Sequence, residues 1–114
     1  MTAPQFSSLI HPEQRMRICA FLLPNDEVAF TALRDALALS ESALSRQLKV
    51  LADAGIAAVA REKGVPRPRA WVALTPEGRE AVRGHLAALR DIAAQADPGA
   101  SDTVEAADRK AALR

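Results

Sequence analysis

Six of the chain's fifteen basic residues, Arg46, Lys49, Arg61, Lys63, Arg67 and Arg69, fall between positions 40 and 70, against three acids, Glu41, Asp53 and Glu62. Residues 1–39 hold three bases and four acids, and residues 71–114 hold six and seven. The formal net charge of +1 therefore conceals a local excess of positive charge in the middle of the chain. Ammonium and guanidinium groups at that density set up a field that attracts phosphate, although the same residues also read as a solvated basic loop. Ser42 and Ser45 add hydroxyls that donate or accept, and Arg46 adds a planar fork of donors.

Other chemistry is thinly supplied. One cysteine, Cys19, and two distant histidines, His11 and His85, make no metal-ligand set, so neither metal nor cofactor is expected. There is no Ser-His-Asp order, glycine-rich phosphate loop or paired-carboxylate motif, and no enzyme is expected. Cys19 reads as a buried, inert thiol, His11 as a cap or turn residue, His85 as a partly covered residue in a subunit seam, and Trp71 as core filler. With 114 residues, 49% hydrophobic and 25% charged, the composition is that of one globular domain. Uncharged apolar runs at 18–23 and 54–60 fall far short of the ~20 residues that span a bilayer, so no membrane partner is expected. The first ten residues lack a basic stretch followed by a long apolar run, and a cytoplasmic location is expected.

Periodicity supplies the elements that must position the basic groups. Met16, Cys19 and Leu23 recur at helical spacing in a first helix over about 12–23, with Pro12 at its first helical position and Pro24-Asn25-Asp26 ending it. Residues 28–30 read as a short edge strand. Thr31 then caps a second short helix with Leu33, Ala36 and Leu37 on its apolar face, closed by Leu39. Ser40 is the N-cap of a third helix, whose Leu44, Leu48 and Leu51 fall within about 60° of one another and form a core stripe. Ser42, Ser45, Arg46 and Lys49 project on its far side. Gly55 ends that helix in left-handed geometry, and residues 56–60 read as a strand. Residues 61–69, with one Gly and two Pro, form a loop, and residues 70–74 alternate as a returning strand, giving a hairpin with a basic tip.

Thr75-Pro76-Glu77 opens a fourth helix to about residue 95. Its apolar stripe, Val82, Leu86, Leu89 and Ala93 widened by Ile92, exceeds what a small core needs. With Leu9 and Ile10 from the N-terminal arm, that stripe is expected to meet a second copy; packing on the first helix of the same chain is the competing reading. Asp97-Pro98-Gly99 breaks the helix, so residues 1–96 are expected to form the domain and 97–114 a mobile tail, with a short fifth helix near 101 as the alternative.

Two short helices joined by a tight turn, the second polar and basic outside, followed by a basic-tipped hairpin, make a winged helix-turn-helix plan. The runs His11-Pro12-Glu13-Gln14-Arg15-Met16-Arg17-Ile18, Phe30-Thr31-Ala32-Leu33, Leu39-Ser40 and Leu44-Ser45-Arg46-Gln47-Leu48-Lys49-Val50-Leu51 carry a resemblance. So do Ala54-Gly55-Ile56, Arg67-Pro68-Arg69-Ala70-Trp71 and Leu74-Thr75-Pro76-Glu77-Gly78-Arg79. Over about residues 9–93 the sequence resembles winged-helix transcriptional regulators of the MarR and ArsR-like group, the small type with little besides the DNA-binding domain. It departs from many of them in carrying Gln47 where a histidine precedes the helix leucine, and in a wing tip stiffened by Pro66 and Pro68.

The resemblance implies a mostly helical α+β fold with a two- to three-stranded antiparallel wing and a long C-terminal dimerisation helix. It implies sequence-specific binding of double-stranded DNA, most simply by a dimeric repressor reading a palindrome. Ser42, Ala43, Ser45, Arg46 and Lys49 would then face the major groove, where Arg46 can bond guanine O6 and N7 and Lys49 a phosphate. Arg61, Lys63, Arg67 and Arg69 would serve the wing at the minor groove. Leu9, Ile10, Val82, Leu86, Leu89, Ile92 and Ala93 would form the dimer interface, setting two half-sites about 34 Å apart or a multiple of that. A winged helix binding an acidic protein partner is the alternative, and a small apolar effector between the first helix, the wing base and the fourth helix is compatible with the first reading.

Overall fold

The computed structural model describes residues 2–99. Four helices, α1 (Glu13–Leu22), α2 (Phe30–Leu37), α3 (Glu41–Asp53) and α4 (Pro76–Ala96), surround a sheet of β1 (Val28–Ala29), β2 (Ala57–Arg61) and β3 (Ala70–Leu74). The sheet is antiparallel in the order β1-β3-β2, with Val28 and Val59 both opposite Val72. Of the tail expected at 97–114, residues 100–114, with the alternative fifth helix, lie outside the described residues.

The apolar stripes meet in one core. Ile18, Cys19 and Leu22 of α1, Leu33 of α2 and Leu44 and Leu51 of α3 are fully buried with Val72 and Val82. Each such large aliphatic side chain stabilises the fold by about 1.5–3 kcal/mol relative to exposure. The leucine stripe of α3 therefore turns inward as its spacing predicts, and Ser40 caps the helix by accepting from the Ala43 N–H at 3.1 Å.

Several local expectations are corrected. Pro12 is the N-cap of α1, one position outside the helix. Thr31 is not a cap: α2 starts at Phe30, a residue expected in the strand, with Ala29 as its N-cap two residues before Thr31 and no side-chain cap bond, because β1 runs directly into the helix. Leu39 does not close α2, which ends at Leu37; Ala38 takes the left-handed conformation at φ 54°, and the N–H groups of Ala38 and Leu39 return to the carbonyls of Asp35 and Arg34. A non-glycine residue there carries a steric cost that the sequence does not announce. The strand expected from residue 56 begins at Ala57. Trp71 alternates with the buried Val72 and Leu74, so it lies on the other face of the sheet, half-exposed, and does not fill the core.

One corner fixes the wing relative to α4. The Thr75 hydroxyl donates to the Gly55 carbonyl at 2.6 Å and accepts from the Gly78 N–H at 2.8 Å, capping α4 while it ties down the end of α3. A side chain at Gly78 would collide with the Ile56 carbonyl, so the segment leading into β2 and the start of α4 approach closely only because residue 78 has none.

Candidate nucleic-acid interface

The spacing of α3 separates its surface into neighbouring rows. Glu41, Ser45, Lys49 and Ala52 line a cleft of about 670 Å³ whose opposite wall is the wing, with Val59, Arg61, Arg67, Pro68 and Arg69. Phe30 and Thr31 at the start of α2 line it from the side. Ser42 and Arg46 belong to the adjoining exposed row. The fold therefore brings Ser45 and Lys49 of the third helix together with Arg61, Arg67 and Arg69 of the hairpin on one concave surface.

The electrostatics of this surface follow from its exposure. Arg46, Arg61, Lys63 and Arg67 are exposed, and among the described residues their side chains make no hydrogen bond or ion pair. Lys49 reaches Asp53 at 3.0 Å, but both side chains are open to water, where such a pair contributes little and yields readily to a stronger anion. Ser42 Oγ lies 3.3 Å from Ser40 Oγ, and the Ala43 N–H is occupied by the cap, which leaves Ala43 its half-buried methyl group as a contact. The wing is stiffened at its base, where the Glu62 N–H donates to the Arg69 carbonyl at 2.9 Å and the Arg69 N–H donates to the Glu62 carboxylate at 2.8 Å. Lys63 stands out on the tip beyond this clasp, beside Gly64 at φ +74°. Sequence reasoning does not place Glu41 or Thr31 at this surface; the i, i+4 relation of Glu41 to Ser45 is the available signal.

The remaining expected sites fall elsewhere. Of the seven residues assigned to a dimer interface, Ile10 and Val82 are 1% exposed within a single chain and offer no surface to a partner. Leu9, Leu86 and Leu89 are half-buried, and Ile92 and Ala93 are exposed. His85, expected at the seam, is fully buried under the N-terminal arm of its own chain. Its Nδ1 accepts from the Ser7 N–H at 2.9 Å, its Nε2 lies 3.4 Å from His11 Nδ1, and Phe6 packs on both rings. Burial, and secondarily the charge of His11, lowers its pKa and so favours the neutral imidazole. Burial pushes the Cys19 thiol up to about 12, as suits an inert core residue. The cleft opens on the wing side of α3, not between α1, the wing base and α4 at the expected effector position.

A family profile described as the winged helix DNA-binding domain matches residues 14–93. The chain belongs to that family. Among solved structures, the transcriptional regulator homologue protein from Pyrococcus horikoshii OT3 is 26% identical with a TM-score of 0.76, covering 80% of this chain and 90% of that one. HlyU from Vibrio cholerae N16961 is 29% identical with a TM-score of 0.53, covering 66% and 77%. Reduced AbfR bound to DNA is 20% identical with a TM-score of 0.60, covering 67% and 54%, a likeness of fold alone. No curated protein matches. The family match and the regulators among these neighbours make the chain a DNA-binding regulator. Among the described residues no helix is long and apolar enough to cross a membrane.

Proposed function

We propose that the protein is a homodimeric repressor that reads a palindromic duplex, with α3 in the major groove and the wing at the adjacent minor groove. The observation that carries this reading is the concave surface on which Ser45 and Lys49 face Arg61, Arg67 and Arg69, with Arg46 exposed on the adjoining row of α3. A helix fits the major groove, which is about 12 Å wide. Arg46 then donates to guanine O6 and N7, Ser42 and Ser45 bond bases or phosphates, and the methyl group of Ala43 meets a thymine methyl. Lys49 and Lys63 act as point charges on phosphates, while Arg67 or Arg69 enters the narrow groove beside them. Repression follows from occlusion of a promoter by the bound dimer.

The dimer is built on the outer half of α4, through Leu86, Leu89, Ile92 and Ala93 together with Leu9; Ile92 is 50% exposed, as befits a residue awaiting a partner. A two-fold axis there repeats the α3–wing unit and accounts for inverted half-sites one helical turn, about 34 Å, apart or a multiple of that. Selection from random duplexes with the purified protein tests the reading: an inverted repeat is expected. Recovery of no preferred sequence, with capture of an acidic protein instead, rejects it. Light scattering at tens of micromolar tests the dimer, and a monomeric mass removes it.

A further inference from the structure

The leucine stripe holds α3 against the core, but a stripe of interdigitated methyl groups leaves a helix some freedom to rotate about its own axis. A site that reads base edges needs its side chains held to within about 0.5 Å and 10–20°. Rotation is restrained here by polar contacts at Gln47, the residue after Arg46. Arg15 of α1 donates from Nη1 to Gln47 Oε1 at 2.8 Å. The Gln47 amide nitrogen donates to Gln14 Oε1 at 2.9 Å. Arg15 is itself oriented by a 2.6 Å bond from Nε to the Leu9 carbonyl, next to the buried Ile10. All three side chains are half-buried, unlike Arg46, which stands in solvent. Gln47 is thus gripped at both its polar atoms from one side, by two adjacent residues of α1.

We propose that Arg15 and Gln14 are positioning residues for DNA recognition: they clamp Gln47, fix the rotation of α3, and so set the direction in which Arg46 meets the duplex. The proposal rests on the reading that places α3 in the major groove. Arg15 acts through Gln47 and touches no DNA. Its loss therefore degrades discrimination between sequences and leaves the phosphate contacts, and with them the salt dependence, unchanged.

The test compares affinity for the selected duplex with affinity for a scrambled duplex of equal length, using the full chain and its variants, alongside thermal midpoint and salt slope. Arg15→Met is expected to lower the selected-to-scrambled ratio about tenfold, in line with loss of a charge-assisted hydrogen bond, with an unchanged salt slope. Gln47→Met should do the same, and the double variant should lose no more than Gln47→Met alone, because the two residues act as one unit. Gln14→Glu, which keeps the acceptor, should retain the ratio, whereas Gln14→Leu should lower it. If Arg15→Met does not fold, Gln14→Leu and Gln47→Met decide the matter. An unaltered ratio in these variants, or losses in the double variant that multiply, overturns the clamp. A wild-type chain that prefers no duplex overturns instead the major-groove reading on which the clamp stands, and the clamp with it.

Discussion

On the side of α3 and the wing, Arg46, Arg61, Lys63 and Arg67 stand in solvent, and among the described residues no protein group engages their side chains. On the side of the N-terminal arm and α4, several polar groups are consumed internally. The Gln5 N–H donates to the Gly84 carbonyl at 2.9 Å, Ser7 is bonded to His85, and Arg79 donates to the carbonyls of Leu23 and Asn25 at 2.7 Å each. The contrast has a physical cause. A cation already paired must break that pair to bind phosphate, so a surface meant for an anionic ligand keeps its charges hydrated. A group that orients one element against another gains from being desolvated and bonded. The first region is specialised for binding and the second for shape, and variants in the two should change different observables.

The largest effect expected is in the shared core. Leu33→Ala, at a fully buried position in α2, should destabilise the chain by about 2–5 kcal/mol in urea unfolding and leave the salt slope of DNA binding intact in whatever fraction folds. The opposite signature is expected on the binding face. Lys49→Ala combined with Lys63→Ala should weaken binding to every duplex alike and reduce the salt slope by about 1.8, or 0.9 for each phosphate no longer neutralised, with the unfolding midpoint little changed. A stability loss of several kcal/mol in that double variant would erase the distinction between the two regions. Ala38→Gly should raise stability by about 1 kcal/mol, since glycine adopts φ 54° without strain, and should leave DNA binding unaltered.

The most gradual effect belongs to His85. Its folded-state pKa lies below the ordinary 6.5, so below that pH the unfolded chain binds more protons than the folded one. Stability from the neutral imidazole is thus complete above about pH 6.5 and is lost as the pH falls through that value towards the lower folded-state pKa. Urea midpoints between pH 8 and pH 5 should decline over that window, and His85→Gln should flatten the decline. A wild-type midpoint that stays level across the window would show that the arm does not hold His85 neutral.

The legibility of the sequence also divides along these lines. The α3 face is readable because Leu44, Leu48 and Leu51 repeat at helical spacing, Ser40 is a capping hydroxyl, and the outward row follows by subtraction. Thr75-Pro76 and the alternating residues 70–74 are equally local signals. The interior network is not readable, because Ser7 with His85, Arg15 with Gln47 and Arg79 with Leu23 join residues far apart in sequence, and no local period encodes such pairs. Trp71 is misplaced by sequence reasoning because a lone aromatic on a short strand fits either face until register assigns Val72 inward. Ile10 and Val82 are misassigned to an interface because an apolar stripe does not say whether its own chain or a second copy covers it. His85 escapes notice as an anchor for the same reason.

Arg46, exposed on α3 in the row beside the cleft, is the residue proposed to read a base. The direct measurement is the affinity of wild type and Arg46→Ala for the selected duplex and for its single-base variants at fixed salt. Wild type should discriminate by about 1–3 kcal/mol at one guanine position of each half-site, and Arg46→Ala should lose that discrimination there while keeping it elsewhere. Identical preference profiles for the two proteins would contradict the account.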